Sequence, residues 1–121
     1  MSLHAELAAF AEHELGDVLA APPLSTQDAL EFDLANGVRV VVRYAAADAY
    51  SLRWRVGDAE LGIDTAPTHP ALATRPNHLH RADGTIVADP LTRTDASPTA
   101  NLAAVLRALA ADPGLADGAA S

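Results

Sequence analysis

Residues Ala29 to Asp64 read ALEFDLANGVRVVVRYAAADAYSLRWRVGDAELGID, and their period of two decides the fold. Leu30, Phe32 and Leu34 alternate with Glu31 and Asp33, then Val38, Val40, Val42 and Tyr44 with Arg39, Val41 and Arg43. Tyr50, Leu52, Trp54 and Val56 follow against Ser51, Arg53 and Arg55, then Ala59, Leu61 and Ile63 against Glu60, Gly62 and Asp64. Successive residues of a strand point to opposite faces, so each run predicts a half-buried strand. Four such strands with short loops predict an antiparallel meander with one solvated face.

Facing sets the register. A two-residue Asn36-Gly37 turn would place Leu34 opposite Arg39. A three-residue loop, Ala35-Asn36-Gly37 with Gly37 left-handed, pairs Leu34 with Val38, Phe32 with Val40 and Leu30 with Val42. With Gly57-Asp58 as the next tight turn, the buried rows run Leu34-Val38-Val56-Ala59, Phe32-Val40-Trp54-Leu61 and Leu30-Val42-Leu52-Ile63. The opposite face then carries the rows Asp33-Arg39-Arg55-Glu60 and Arg43-Ser51-Asp64, with Gly62 facing Arg53. Four arginines converge there. With acids on both sides they form a cross-strand charge ladder first and a phosphate-binding patch second.

Outward from the meander the period changes. Leu3, Leu7, Phe10 or Ala11, and Leu15 recur every three or four residues, predicting an amphipathic helix over 1–16 with Ser2 as cap and Gly16 as stop. His4 and His13 lie on it and are expected to face solvent. Pro22-Pro23 ends any helix there. Asp83-Gly84 predicts a turn joining strands near Asn77–His80 and Thr85–Ala88. Ser97-Pro98 opens a helix over 97–112 whose Leu102, Val105, Leu106 and Leu109 cover the apolar side of the sheet. The tail, 113–121, is expected to fray. The fold class is thus α+β: a four- to six-stranded antiparallel meander, one face covered by N- and C-terminal helices, in a single domain spanning 1–121.

Composition narrows the setting. The chain has no Cys, which excludes disulfides and thiolate metal sites, and its net charge is −8. All eight basic residues are Arg, Ile occurs only twice, and Ala is the commonest residue. This resembles the proteins of salt-loving archaea; an ordinary acidic bacterial protein is the alternative. No apolar run approaches the roughly 20 residues of a membrane span, and no signal peptide is evident, so a cytoplasmic protein is expected.

The segment 66–89 follows the meander as a loop rich in His and Pro and a short hairpin. From Asp64 to His80 the chain reads DTAPTHPALATRPNHLH, with three of the five histidines and three of the eight prolines. In an extended segment His78 and His80 project to one side and Leu79 to the other. Two imidazoles, which titrate near neutrality, can serve as general base and general acid. That is what cleavage of RNA through its 2′-hydroxyl needs, with Arg43, Arg53 or Arg75 to stabilise the phosphorane and Asp64 to orient a histidine. His69 lies between prolines that stiffen the loop. The same Asp64, His69, His78 and His80 are also a possible ligand set for zinc or another divalent ion. Loop histidines bonded to the backbone are the bland alternative.

The segment Asp64-Thr-Ala-Pro-Thr-His-Pro, followed by Pro76-Asn-His-Leu-His, resembles the signature of the TumE family, toxin components of toxin–antitoxin pairs. Tyr50-Ser-Leu-Arg-Trp upstream resembles the family's aromatic strand, and the likeness extends over Ala29 to Ala110. Asp64, Ala66, Pro67, His69, Pro70, Pro76, His78 and His80 match. Thr65 stands in place of Asn, Thr68 and Asn77 in place of His, and Leu79 in place of Lys. The resemblance implies a toxin-type protein with an antitoxin encoded by a neighbouring gene. Together with the histidines, it leads to the expectation of an endoribonuclease that needs no metal or other cofactor, with Asp64, His69, His78 and His80 as catalytic residues. RNA is the expected substrate, homodimerisation is left open, and no membrane partner is expected. A non-enzymatic protein-binding module and a His/Asp metal-dependent hydrolase are the two alternatives.

Overall fold

The structure, a computed structural model, describes residues 2–66 and 76–115. In chain order the elements are helix α1 (Leu3–Glu14), strands β1 (Leu24–Ser25), β2 (Leu30–Asp33), β3 (Arg39–Ala46), β4 (Ala49–Val56), β5 (Ala59–Asp64), β6 (His78–His80) and β7 (Ile86–Ala88), and helix α2 (Pro98–Ala111). The strands form one antiparallel sheet whose spatial order is the chain order, β1 through β7.

The alternation of apolar and polar residues produces the register read from it. Leu30 pairs with Val42 and Phe32 with Val40. Val40 continues to Trp54 and Val42 to Leu52; Trp54 meets Leu61 and Leu52 meets Ile63. Gly37 takes φ +89°, a left-handed conformation that closes the β2–β3 loop. The Leu34 amide bonds the Val38 carbonyl at 2.8 Å, and the Gly37 amide bonds Leu34 at 2.9 Å. Gly84 (φ +87°) turns β6 into β7 as the Asp83-Gly84 pair predicts.

Two features correct the expected architecture. The sheet has seven strands rather than four to six: Leu24–Ser25 adds a strand on β2, and a bridge joins Leu19 to Leu34. Two residues after Pro22-Pro23, with Leu24 exposed, carry no alternation to read. The helices are not two separate covers either. α1 packs against α2 as well as against β1 and β3, and Leu7 and Ala11 share one core with Phe32, Trp54, Leu102, Val105, Leu106 and Leu109.

Both helices are capped as their sequences dictate. The Ser2 hydroxyl accepts the Ala5 amide, and Ser97 accepts the Ala100 amide ahead of Pro98. The far end of α2 is tied down by the meander. Asn36 Nδ2 donates to the Leu109 carbonyl at 3.0 Å, and Trp54 Nε1 donates to the Pro113 carbonyl at 2.8 Å. The first satisfies a carbonyl that the helix end leaves without a partner, and the second anchors the chain just past the cap. Leu115, beyond α2, is buried in the core.

His4 does not face solvent as expected. Its Nε2 accepts the Tyr44 amide at 3.0 Å, which joins α1 to β3. β2 begins at Leu30, opposite Val42, so the Tyr44 amide two residues further along β3 has no strand partner on that side and takes His4 instead.

Candidate functional site

The site forms where β6 pairs with β5. Asp64 stands opposite His78, Ile63 opposite Leu79, and Gly62 opposite His80. Leu79 enters the core, so the period of two sends His78 and His80 together to the other face, alongside Asp64. Their rings meet edge to face with centroids 4.7 Å apart.

One carboxylate holds both imidazoles. His78 Nε2 lies 3.0 Å from Asp64 Oδ1, and His80 Nε2 lies 3.2 Å from Asp64 Oδ2. The Ala66 amide also donates to Oδ1, at 3.0 Å. His78 Nδ1 lies 3.1 Å from the Pro76 carbonyl. A carbonyl only accepts, so Nδ1 carries the hydrogen. Nε2 of the same ring then faces a carboxylate oxygen, and that contact is favourable only with a cation, a proton at the least, between the two atoms. The side chain of His78 is 2% exposed and that of Asp64 12%, against 35% for His80. One imidazole is thus buried behind the carboxylate, and the other meets solvent.

Arg53 completes the cluster. It faces Gly62 across the β4–β5 pair, and its guanidinium lies 3.7 Å from Asp64 Oδ2 and 3.6 Å from Glu60 Oε1. A Cβ on residue 62 would come within 3.3 Å of both Arg53 Cγ and the Leu52 carbonyl. The bare glycine lets the arginine lie across β5 toward the carboxylate. Arg53 also lines a surface depression of about 330 Å³ with Arg39, Val41, Arg55 and Glu60. Arg39 is paired there with Asp33 at 2.9 Å and Glu31 at 3.0 Å, the ladder that facing predicts. Arg43 sits opposite Ser51, one row along from Arg53. His69 and Arg75 lie outside the described residues, as do Pro67 and Pro70.

Behind the site, on the core side, a buried polar chain went unread in the sequence. Asn77 Nδ2 donates to the Tyr50 hydroxyl at 2.7 Å and to Asp89 Oδ2 at 3.1 Å. The Tyr50 and Thr92 hydroxyls are 2.9 Å apart, and Thr92 in turn donates to Asp89. Asp89 Oδ1 accepts the amides of Leu91 and Thr92. Hydrogen donation therefore runs from Asn77 through Tyr50 and Thr92 to a carboxylate, and fixes the entry to β6 just before His78. Asp89-Pro90 was its available signal, an acid positioned to accept the amides of the turn it opens.

With this geometry in hand, the comparison with protein families is specific. The family model described as Toxin TumE matches residues 4–112. The chain belongs to the TumE toxin family. The match takes in α1, the meander, the Asp64–His80 region and α2, so the TumE assignment covers the whole sheet and both helices rather than one motif. No curated protein and no solved structure matches this TumE chain. Among the described residues, no helix of this TumE protein is long and apolar enough to cross a membrane.

Proposed function

We propose that this TumE-family toxin is an endoribonuclease that cleaves RNA through the 2′-hydroxyl without a metal, with His80 as the group that exchanges protons with the substrate. The observation that carries this reading is the unequal exposure of two imidazoles on one carboxylate. His80 gives its Nε2 to Asp64 and keeps Nδ1 for the substrate; Asp64 stabilises the imidazolium formed when Nδ1 takes the 2′-hydroxyl proton. His78, held by Pro76 and buried, is a positioning residue that keeps Asp64 in place. Arg53, beside the carboxylate, and Arg43, a row away, stabilise the charge on the phosphorane. In-line displacement needs an acid on the far side of the phosphorus to protonate the leaving 5′-oxygen, and His69 is the residue we assign to that role. The product ends are then a 2′,3′-cyclic phosphate and a 5′-hydroxyl.

A toxin of this kind is kept in check by a partner, and we assign that part to an antitoxin encoded next to the gene. The test is expression with and without that neighbour, with the ends of cleaved RNA identified. Growth arrest that the neighbour relieves, together with cyclic phosphate ends, supports the reading. Products with 5′-phosphates overturn the mechanism, and a His80→Ala protein as toxic as the parent overturns the assignment.

A further inference from the structure

We infer that Asp64, His78 and His80 bind a divalent transition-metal ion of the zinc class, and that the bound ion holds the acid–base site shut. The ion site stands on geometry; its consequence rests on the ribonuclease reading above.

One carboxylate oxygen and two imidazole nitrogens lie within 4.8 Å of one another. His78 Nε2 is 3.0 Å from Oδ1 and His80 Nε2 is 3.2 Å from Oδ2, each close to the spacing of about 3.3 Å between ligands of a tetrahedral zinc with bonds of about 2.0–2.1 Å, although the two rings reach different oxygens. For a single oxygen to serve with both rings, the three atoms, now within 4.8 Å of one another, draw in toward that spacing. His78 is already oriented as a ligand, because a ligating imidazole characteristically gives its other N–H to a carbonyl or carboxylate, here Pro76. That bond leaves the Nε2 lone pair of a neutral His78 aimed at a carboxylate oxygen, and a cation between them resolves the opposition. The backbone frame is rigid, since Asp64 and His78 are directly paired across β5 and β6. The half-exposed His80 leaves a way in for the ion and room for a water as fourth ligand.

Two imidazoles favour zinc, copper or nickel over magnesium and calcium, which take oxygen ligands. The opposing feature is Arg53, 3.7 Å from Oδ2. It has an alternative partner in Glu60, already 3.6 Å away.

An ion on Nε2 of His80 changes what that ring can do. A neutral imidazole that coordinates through Nε2 carries its one hydrogen on Nδ1. It then has no lone pair for the 2′-hydroxyl proton. The ion and the catalytic proton transfer thus exclude each other.

The experiment uses the full chain freed of metal, titrated with Zn2+ alone and with Mg2+ alone, with binding measured by calorimetry. His13→Ala, on the exposed side of α1, removes a histidine away from the site. The expected result is one Zn2+ per chain for the parent and for His13→Ala, no Mg2+ binding, and affinity lower by about ten-fold or more in His80→Ala and Asp64→Asn. His80 is used because its removal leaves the buried His78 in place. Absence of Zn2+ binding, or binding unchanged in His80→Ala, overturns the site. RNA cleavage is measured in parallel: loss with Zn2+ and recovery with chelator support closure, and cleavage that rises with Zn2+ overturns it. Zn2+ binding without cleavage in either state upholds the ion site and rejects the ribonuclease reading.

Discussion

His78 and Asp64 face each other directly across β5 and β6, with Nε2 3.0 Å from Oδ1 and the imidazole 2% exposed. His80, two residues on, reaches the other oxygen of the same carboxylate from the surface. The two histidines therefore differ in what their removal does. His78→Ala withdraws a partner from a largely buried carboxylate and is expected to cost roughly 3 kcal/mol or more in stability. His80→Ala is expected to stay within about 1 kcal/mol of the parent while abolishing activity. Urea denaturation beside an RNA cleavage assay separates the two; equal stability losses would contradict the burial difference. Asp64→Asn keeps the volume and is expected to lower cleavage by roughly 10²–10⁴-fold.

Gly62 is the second point of leverage. Alanine in a strand ordinarily gains about 0.4–1 kcal/mol over glycine through the unfolded chain. Here its Cβ meets Arg53 Cγ and the Leu52 carbonyl at 3.3 Å, and crowding of that kind costs about 1–3 kcal/mol. Gly62→Ala is expected to be net destabilising by about 1 kcal/mol and to weaken RNA binding by displacing Arg53. In an Arg53→Ala background the penalty should shrink, and thermal melts of the four proteins in the cycle measure the difference. An unchanged penalty would assign the whole cost to the Leu52 carbonyl.

Both tyrosines are buried, stacked with centroids 4.7 Å apart. Burial pushes both hydroxyls above their ordinary value of 10.0; for Tyr44 the Asn101 side chain offsets part of this, and for Tyr50 Thr92 and Asn77 do so. Burial favours the neutral form, so the associated stability is present below pH 10.0 and is lost as pH rises through the raised native values. Absorbance at the tyrosinate band is expected to stay flat past pH 10.0 and to rise together with loss of circular dichroism. Early ionisation of either ring in folded protein would refute this. The hydroxyls also differ: Tyr50→Phe breaks the Asn77–Thr92 chain at a cost of about 1–3 kcal/mol. Tyr44 Oη makes no hydrogen bond of proper geometry among the described residues, the Asn101 side chain being near it without bonding it, and Tyr44→Phe is expected to be neutral or mildly stabilising.

A net charge of −8 without a single lysine predicts a response to salt. Molar KCl shortens the Debye length to about 3 Å and mutes self-repulsion. The melting temperature is expected to climb by several degrees between dilute buffer and molar KCl. A fall would mean that the exposed ion pairs of Arg39, Arg93 and Arg107 outweigh the repulsion.

The meander was legible because each of its strands alternates long enough for only one register to keep Phe32, Trp54 and Leu52 on one face. β1 was not, since two residues beside a proline pair cannot alternate. The site was legible in part. Spacing alone put His78 and His80 on one side of their strand, which only the β5–β6 pairing shows to be Asp64's. It could not tell which imidazole is buried, because an open sheet face normally meets water and this one does so over β3 and β4 but not at Asp64 and His78. His4 illustrates the same limit: its acceptor role depends on an amide forty residues away that β2 is too short to pair. The Asn77–Asp89 chain joins Tyr50 of β4, Asn77 ahead of β6 and the Asp89–Thr92 turn, and polar residues in turns usually signify only solvent.

A sheet whose spatial order repeats its chain order also fixes a timetable for synthesis. Local pairings close first, so β2 to β5 can zip as they leave the ribosome, without waiting for distant sequence. Asp64 then stands ready with no histidine opposite it until β6 has emerged. The apolar side has only α1 to cover it until Leu102, Val105, Leu106 and Leu109 arrive after the sheet. The three-residue cluster and the full core are therefore assembled only once β6 and α2 have followed the meander.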